Sequence, residues 1–194
     1  MDMIAEAEPG PRARITGLVY LLFFLTAFLA EFLYGRGFVA YSHAANLISY
    51  LCYFILTLLF YWMFKPVNRR FSLVAALFSI LGCVFGVINL FGPTPFNISP
   101  LLFFGPYCIL IGWLIIRSAF LPHILGLLML IAGLGWLIFL LPGASFLSLY
   151  IKVLGILAEA SLMLWLIVKG VDVQRWKGQA EANKQTHTPL RNIK

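Results

Sequence analysis

Six apolar stretches, each long enough to cross a bilayer, fill most of this chain and leave room for little else. They run over roughly 14–34, 45–64, 71–91, 100–117, 122–141 and 149–169, and a spanning helix needs about 20 apolar residues. Charged residues make up 11% of the 194, where a soluble domain carries about 25%. So few charges cannot cover a water-facing surface, whereas a bilayer removes that demand. The expected fold is all-α: a polytopic membrane protein with six transmembrane helices in an antiparallel bundle.

Proline marks the boundaries. Pro66, Pro93, Pro95, Pro100, Pro122 and Pro142 lie in or beside the connections, where a missing N–H costs little. Pro106 falls inside the fourth span and, with Gly105, predicts a kink. The first apolar run is too long for a signal-peptide core and ends without an A-x-A-like site, so it is expected to remain as the first span.

Orientation follows from Lys and Arg. With the N-terminus inside, Arg12, Arg14, Lys65, Arg69, Arg70, Arg117, Lys169, Arg175, Lys177, Lys184, Arg191 and Lys194 fall on the inner side. Arg36 and Lys152 fall outside, a bias of 12 to 2. Trp62, Trp113 and Trp165 stand just before Lys65, Arg117 and Lys169, as an inner aromatic belt would. Residues 1–13 are expected as a cytoplasmic N-terminal tail, 14–170 as the bundle, and 171–194, polar and without hydrophobic periodicity, as a flexible basic cytoplasmic C-terminal tail. The net charge of +7 thus sets topology and does not point to nucleic acid. Both termini are expected in the cytoplasm.

Small residues mark close helix packing in lipid. On the third span Ala75, Ser79, Gly82, Gly86 and Asn89 share one face, with a G-x-x-x-G at Gly82 and Gly86. That motif supports a tight helix contact, and a homo-oligomer is compatible with it. Gly105 and Gly112, then Gly126 and Gly133, are seven apart, as a closely packed hairpin of spans four and five needs. Cys52, Cys83 and Cys108 lie in apolar runs and read as packing residues, with no disulfide or zinc pattern.

The second span carries an unusual polar stripe: His43, Asn46, Tyr50, Tyr53 and Thr57, at spacings of 3, 4, 3 and 4. It is either one wall of a wet cavity or a face satisfied against neighbouring helices. Two of the seven acidic residues lie within spans. Glu31, near the outer end, could pair with Arg36 or Lys152. Glu159 lies near the middle of the sixth span, about 15 Å from either end. A charge there costs several kcal/mol (~3 on insertion scales) unless paired or wetted, so it needs a partner from another helix, water, or a proton. Lys152, on the same face, is two turns away, about 10 Å along the axis. The topology brings Glu31, His43, Asn46, Asn89 and Lys152 to the outer half, with Tyr53, Thr57 and Glu159 deeper. The expectation is an outward-opening polar pocket, floored by Glu159 and walled by spans one, two, three and six.

Several segments resemble a known family: Arg14-Ile15-Thr16-Gly17-Leu18-Val19-Tyr20, Ala30-Glu31-Phe32, the turn Lys65-Pro66-Val67-Asn68, the run from Arg117 to Gly126, and the run from Glu159 to Gly170. Over roughly residues 12–171 the chain is similar to the bacterial membrane family called domain of unknown function 4386, the turn from span four to span five being the most specific piece. Its first and last loops are shorter than the family pattern. The resemblance implies a multi-span bundle in a bacterial cytoplasmic membrane and implies no reaction.

Three classes of function are compatible with these residues to different degrees. The first is binding or carriage of a small solute or ion, with Glu159 as the responsive group. The second is an accessory membrane protein whose polar residues only lock helices together. The third, an enzyme, lacks His-Glu-x-x-His, Gly-x-Ser-x-Gly and Walker-type signatures. His43, His123 and His187 form no pair suited to haem, and no metal or other cofactor is expected.

Overall fold

The computed structural model describes residues 9–92, 98–141 and 143–187. Within them lie α1 (Pro9–Gly35), α2 (Val39–Phe64), α3 (Arg69–Leu90), α4 (Leu101–Arg117), α5 (His123–Phe139), a 3-10 turn (Ala144–Leu147), α6 (Ser148–Val168) and α7 (Val173–His187). The first eight and last seven residues, with Pro93, Pro95 and Pro142, lie outside the described residues. Among the described residues four helices, α1, α2, α3 and α6, are long and apolar enough to cross a membrane, and α4 and α5 are shorter apolar helices of 17 residues. Large apolar side chains cover their outer faces: Leu18, Leu25 and Phe32 on α1, Leu51 and Leu58 on α2, Leu127 and Leu134 on α5. So wide an exposed apolar surface is that of a membrane protein.

Each helix packs against its neighbours in the chain, and α6 returns to α1, so the six form a closed ring. Every seam is antiparallel. Ser42 donates to Ala30 O while Tyr20 meets Phe60, fixing α1 against α2. Thr57 meets Ser79 as Tyr50 covers Gly86 between α2 and α3. Phe85 stacks on Phe103 and Phe71 tilts on Trp113 between α3 and α4. The centre is filled by Tyr20, Leu56, Phe60, Cys108, Leu114, Met129 and Leu162, all with 2% exposure or less.

The α4–α5 hairpin shows what the paired glycines do. A Cβ on Gly112 would stand 2.7 Å from Gly126 O, and one on Gly126 would stand 2.6 Å from Gly112 O. Two turns further along the pair, a Cβ on Gly133 would meet Gly105 O at 2.7 Å. The backbones therefore touch where only glycine fits.

The expectation of a flexible C-terminal tail needs correcting: residues 173–187 form α7. Val173, Trp176, Gln179, Ala180 and Asn183 are its less exposed residues, one helical face turned to the bundle. Trp176 Nε1 donates to Met63 O at 3.0 Å and Asn183 Nδ2 to Pro66 O at 3.0 Å. Gln179 donates to Arg117 O at 3.2 Å and accepts from Ala119 N at 3.2 Å. The last carbonyls of a helix have no partner within it, and α7 satisfies such groups at the ends of α2 and α4. Because two of these five residues, Gln179 and Asn183, are polar, apolar periodicity does not reveal the face. The start of α1 joins the same end, Gly10 standing beside Val173 and Ala13 beside Gly170.

Replacing Trp176 by Ala removes one of these bonds and the packing around the indole. It is expected to destabilise the protein by roughly 1–3 kcal/mol, read as a lowered Tm in micelles, and to expose the α2–α3 turn to protease.

Candidate functional site

Glu159 lies on α6 between Gly155 and Met163, at the edge of the stripe that faces the ring. It is half-buried. The antiparallel approach of α1 brings Tyr20 to the same height, and the fully buried Tyr20 hydroxyl donates to Glu159 Oε2 at 2.8 Å. The approach is close because Gly17, one turn before Tyr20, lies against the backbone of Leu166 and Ile167. Among the described residues this is the carboxyl's one hydrogen bond, and no Lys, Arg or His pairs with it.

Aromatic rings enclose the pair. Tyr20 stacks on Phe24 at 5.5 Å and meets Phe60 edge-on at 6.0 Å. Tyr53 packs edge-on against Phe23 at 4.8 Å, Phe104 at 5.0 Å and Tyr107 at 5.8 Å. Tyr53, Tyr107 and Cys108 are within electrostatic reach of Glu159. The Tyr107 hydroxyl is buried and, although Tyr53 approaches it, no hydrogen bond of good geometry forms. Three buried tyrosines from α1, α2 and α4 thus gather around one carboxyl of α6.

The other residues of the expected pocket are placed as follows. Thr57 donates to Tyr53 O at 2.8 Å and shares a hydrogen bond of 2.5 Å with Ser79. The Tyr50 ring occupies the space over Gly86. Asn46 donates to Ser42 O of its own helix, and Asn89 to Ile98 O beyond the end of α3. His43 is half-buried, whereas Glu31, Asn89 and Lys152 are exposed. The expected ion pair of Glu31 is not formed: Arg36 lies over the Phe32 ring at 5.1 Å and Lys152 over Phe139 at 5.9 Å. The structure brings Tyr53 and Glu159 together and leaves the outer residues without mutual hydrogen bonds among the described residues. Among those residues no cluster of three or more His, Cys, Asp or Glu could hold a metal ion.

The profile of the family described as Domain of unknown function (DUF4386) matches residues 94–170, which hold α4, α5 and α6. An uncharacterised protein of Archaeoglobus fulgidus is 30% identical over 116 residues, covering 57% of this chain and 72% of its own length. The chain belongs to the DUF4386 family. No solved structure matches it. In this DUF4386 protein the profile covers Glu159, Tyr107 and Cys108, while Tyr20 and Tyr53 come from the part before it.

Tyr20 and Tyr107 were not among the residues that the sequence singles out. Tyr20 follows Ala13 and Gly17 at spacings of 4 and 3, which shows a tight face on α1. That this face meets α6 depends on ring closure, which no local pattern carries.

The Thr57–Ser79 contact locks α2 to α3, and its removal is measurable. Thr57→Val is expected to lower unfolding stability by about 1 kcal/mol. Adding Ser79→Ala recovers part of the loss, since the orphaned hydroxyl then goes too.

Proposed function

We propose that this is a six-span protein of the bacterial cytoplasmic membrane, with both termini cytoplasmic, that binds a small cation, in the simplest case a proton, at Glu159. The observation that carries this reading is the carboxyl at mid-span, held by the Tyr20 hydroxyl and without a basic partner among the described residues. An uncompensated carboxylate is costly at that depth, so its positive partner must come from elsewhere. A hydroxyl can donate to the carboxylate and can equally accept from the neutral acid or face a bound cation. The outward-opening polar pocket is the entry assigned by this reading, with Tyr53 its innermost wall.

The six-span count is supported by the length of α4 and α5. Seventeen residues give about 25 Å, at the short end of what a span of about 17–25 residues needs. The sidedness is supported by the gathering of α7, the α2–α3 and α4–α5 turns and the start of α1 at one end, where the Lys and Arg excess lies.

A second reading is favoured by the hydrogen bonds of Thr57, Asn46 and Asn89 and the seating of Tyr50, all of which serve packing. Under it the protein is an accessory membrane component without a solute.

A membrane-permeant carbodiimide, which couples to protonated carboxyls in apolar surroundings, separates the two. Cation binding predicts labelling at Glu159 that slows as pH or Na+ is raised and is absent in Glu159→Gln. Labelling at Glu159 that ignores both pH and Na+, or no labelling there at all, removes the cation site and leaves the accessory reading.

A further inference from the structure

At the end of the bundle where α7 docks, an open cleft of about 300 Å³ is lined by Val67, Asn68, Arg69, Arg70 and Asn183. Among the described residues no acidic side chain lines it. Three other cations at this end are already engaged. Lys65 lies over the Trp62 ring at 4.7 Å, Arg117 over Trp113 at 5.3 Å, and Arg175 pairs with Asp172 at 3.2 Å. Arg69 and Arg70 are exposed and, among the described residues, have no ion pair, side-chain hydrogen bond or ring contact. The second wall of the cleft is α7, held there by the bond from Asn183 to Pro66 O.

We propose that this cleft is a binding site for a phosphate group at the membrane surface, gripped by Arg69 and Arg70 against Asn183. Two guanidinium groups offer planar donor forks that match phosphate oxygens, which a solvated lysine does not. Basic pockets beside spans on the inner side are where headgroup phosphates dock. The attraction rests on the guanidinium groups and not on the start of α3, where Asn68 already accepts from Phe71 N. The tryptophan-bearing ends of α2 and α4 set the level of the cleft at the headgroups. Occupancy would draw the α2–α3 turn and α7 together. The site does not involve Glu159 and stands or falls independently of it.

The test uses the full chain in neutral maltoside micelles, with Tm followed during titration with phosphatidylglycerol, phosphatidylcholine or inorganic phosphate, each at matched ionic strength. Saturable stabilisation by phosphatidylglycerol alone supports the site with a lipid as its source. Stabilisation by inorganic phosphate supports it with a soluble phosphate compound. In either case Arg69→Ala with Arg70→Ala is expected to weaken the midpoint at least about tenfold, as loss of two charge-assisted contacts predicts, and Lys177→Ala by less than twofold (roughly the effect of a screened surface charge). Arg69→Lys with Arg70→Lys keeps the inward charge that insertion needs. It is expected to fold normally and to bind more weakly than the native pair. Equal response of the native protein and both arginine variants, an equal loss in Lys177→Ala, or equal stabilisation by phosphatidylcholine overturns the proposal.

Discussion

A carboxyl group at mid-span must be held by whatever the facing helix supplies, and here that is the Tyr20 hydroxyl. Between apolar helices in lipid there is no water-driven attraction to close a seam, so close backbone approach and hydrogen bonds must do it. The α1–α6 seam has both, with Gly17 against the backbone of α6 and Tyr20 bonded to Glu159. This seam joins the first spanning helix to the last and closes the ring. With it closed, Tyr53, Tyr107, Phe60 and Leu162 face inward around the carboxyl and not lipid.

The packing elsewhere divides into two kinds. The α4–α5 hairpin is held by backbone contact at paired glycines, where any larger residue would push the helices apart. The α2–α3 seam mixes a polar bond, Thr57 with Ser79, and a large ring over a small residue, Tyr50 on Gly86. At the cytoplasmic end proposed above, α7 replaces lipid headgroups and water as the partner of the terminal carbonyls of α2 and α4. A helix with little apolar surface of its own is stable there because side chains such as Gln179 and Asn183 meet backbone groups that the ends of the ring helices leave over.

Much of this was legible in the residues. Apolar length located the six helices of the ring to within a few residues at most boundaries, because in a bilayer the run of apolar side chains and the helix are the same thing. Small-residue spacing located the glycine pairs of α4 and α5, since contact between backbones needs a repeat on one face. The spacing of Glu159 marked it as a group needing a partner. It could not say that the partner was Tyr20, because helical periodicity orients a side chain around its own axis and says nothing of which helix stands opposite. The α2 stripe shows the converse: its residues share a helical face by spacing, yet Asn46 bonds to its own helix and Thr57 to Ser79, choices that spacing does not make. Helix α7 escaped notice because it docks largely through hydrogen bonds.

The most direct test of the ring is a double-mutant cycle on its closing bond. Tyr20→Phe and Glu159→Leu are made singly and together, and unfolding free energies are measured in micelles. If the bond closes the ring, Tyr20→Phe destabilises the native protein but hardly affects the Glu159→Leu background, a coupling of about 1 kcal/mol, typical of an interhelical hydrogen bond in a membrane protein. Equal effects of Tyr20→Phe in both backgrounds, additive within about 0.3 kcal/mol, would show that the two side chains do not meet and that α1 and α6 close the ring in some other way.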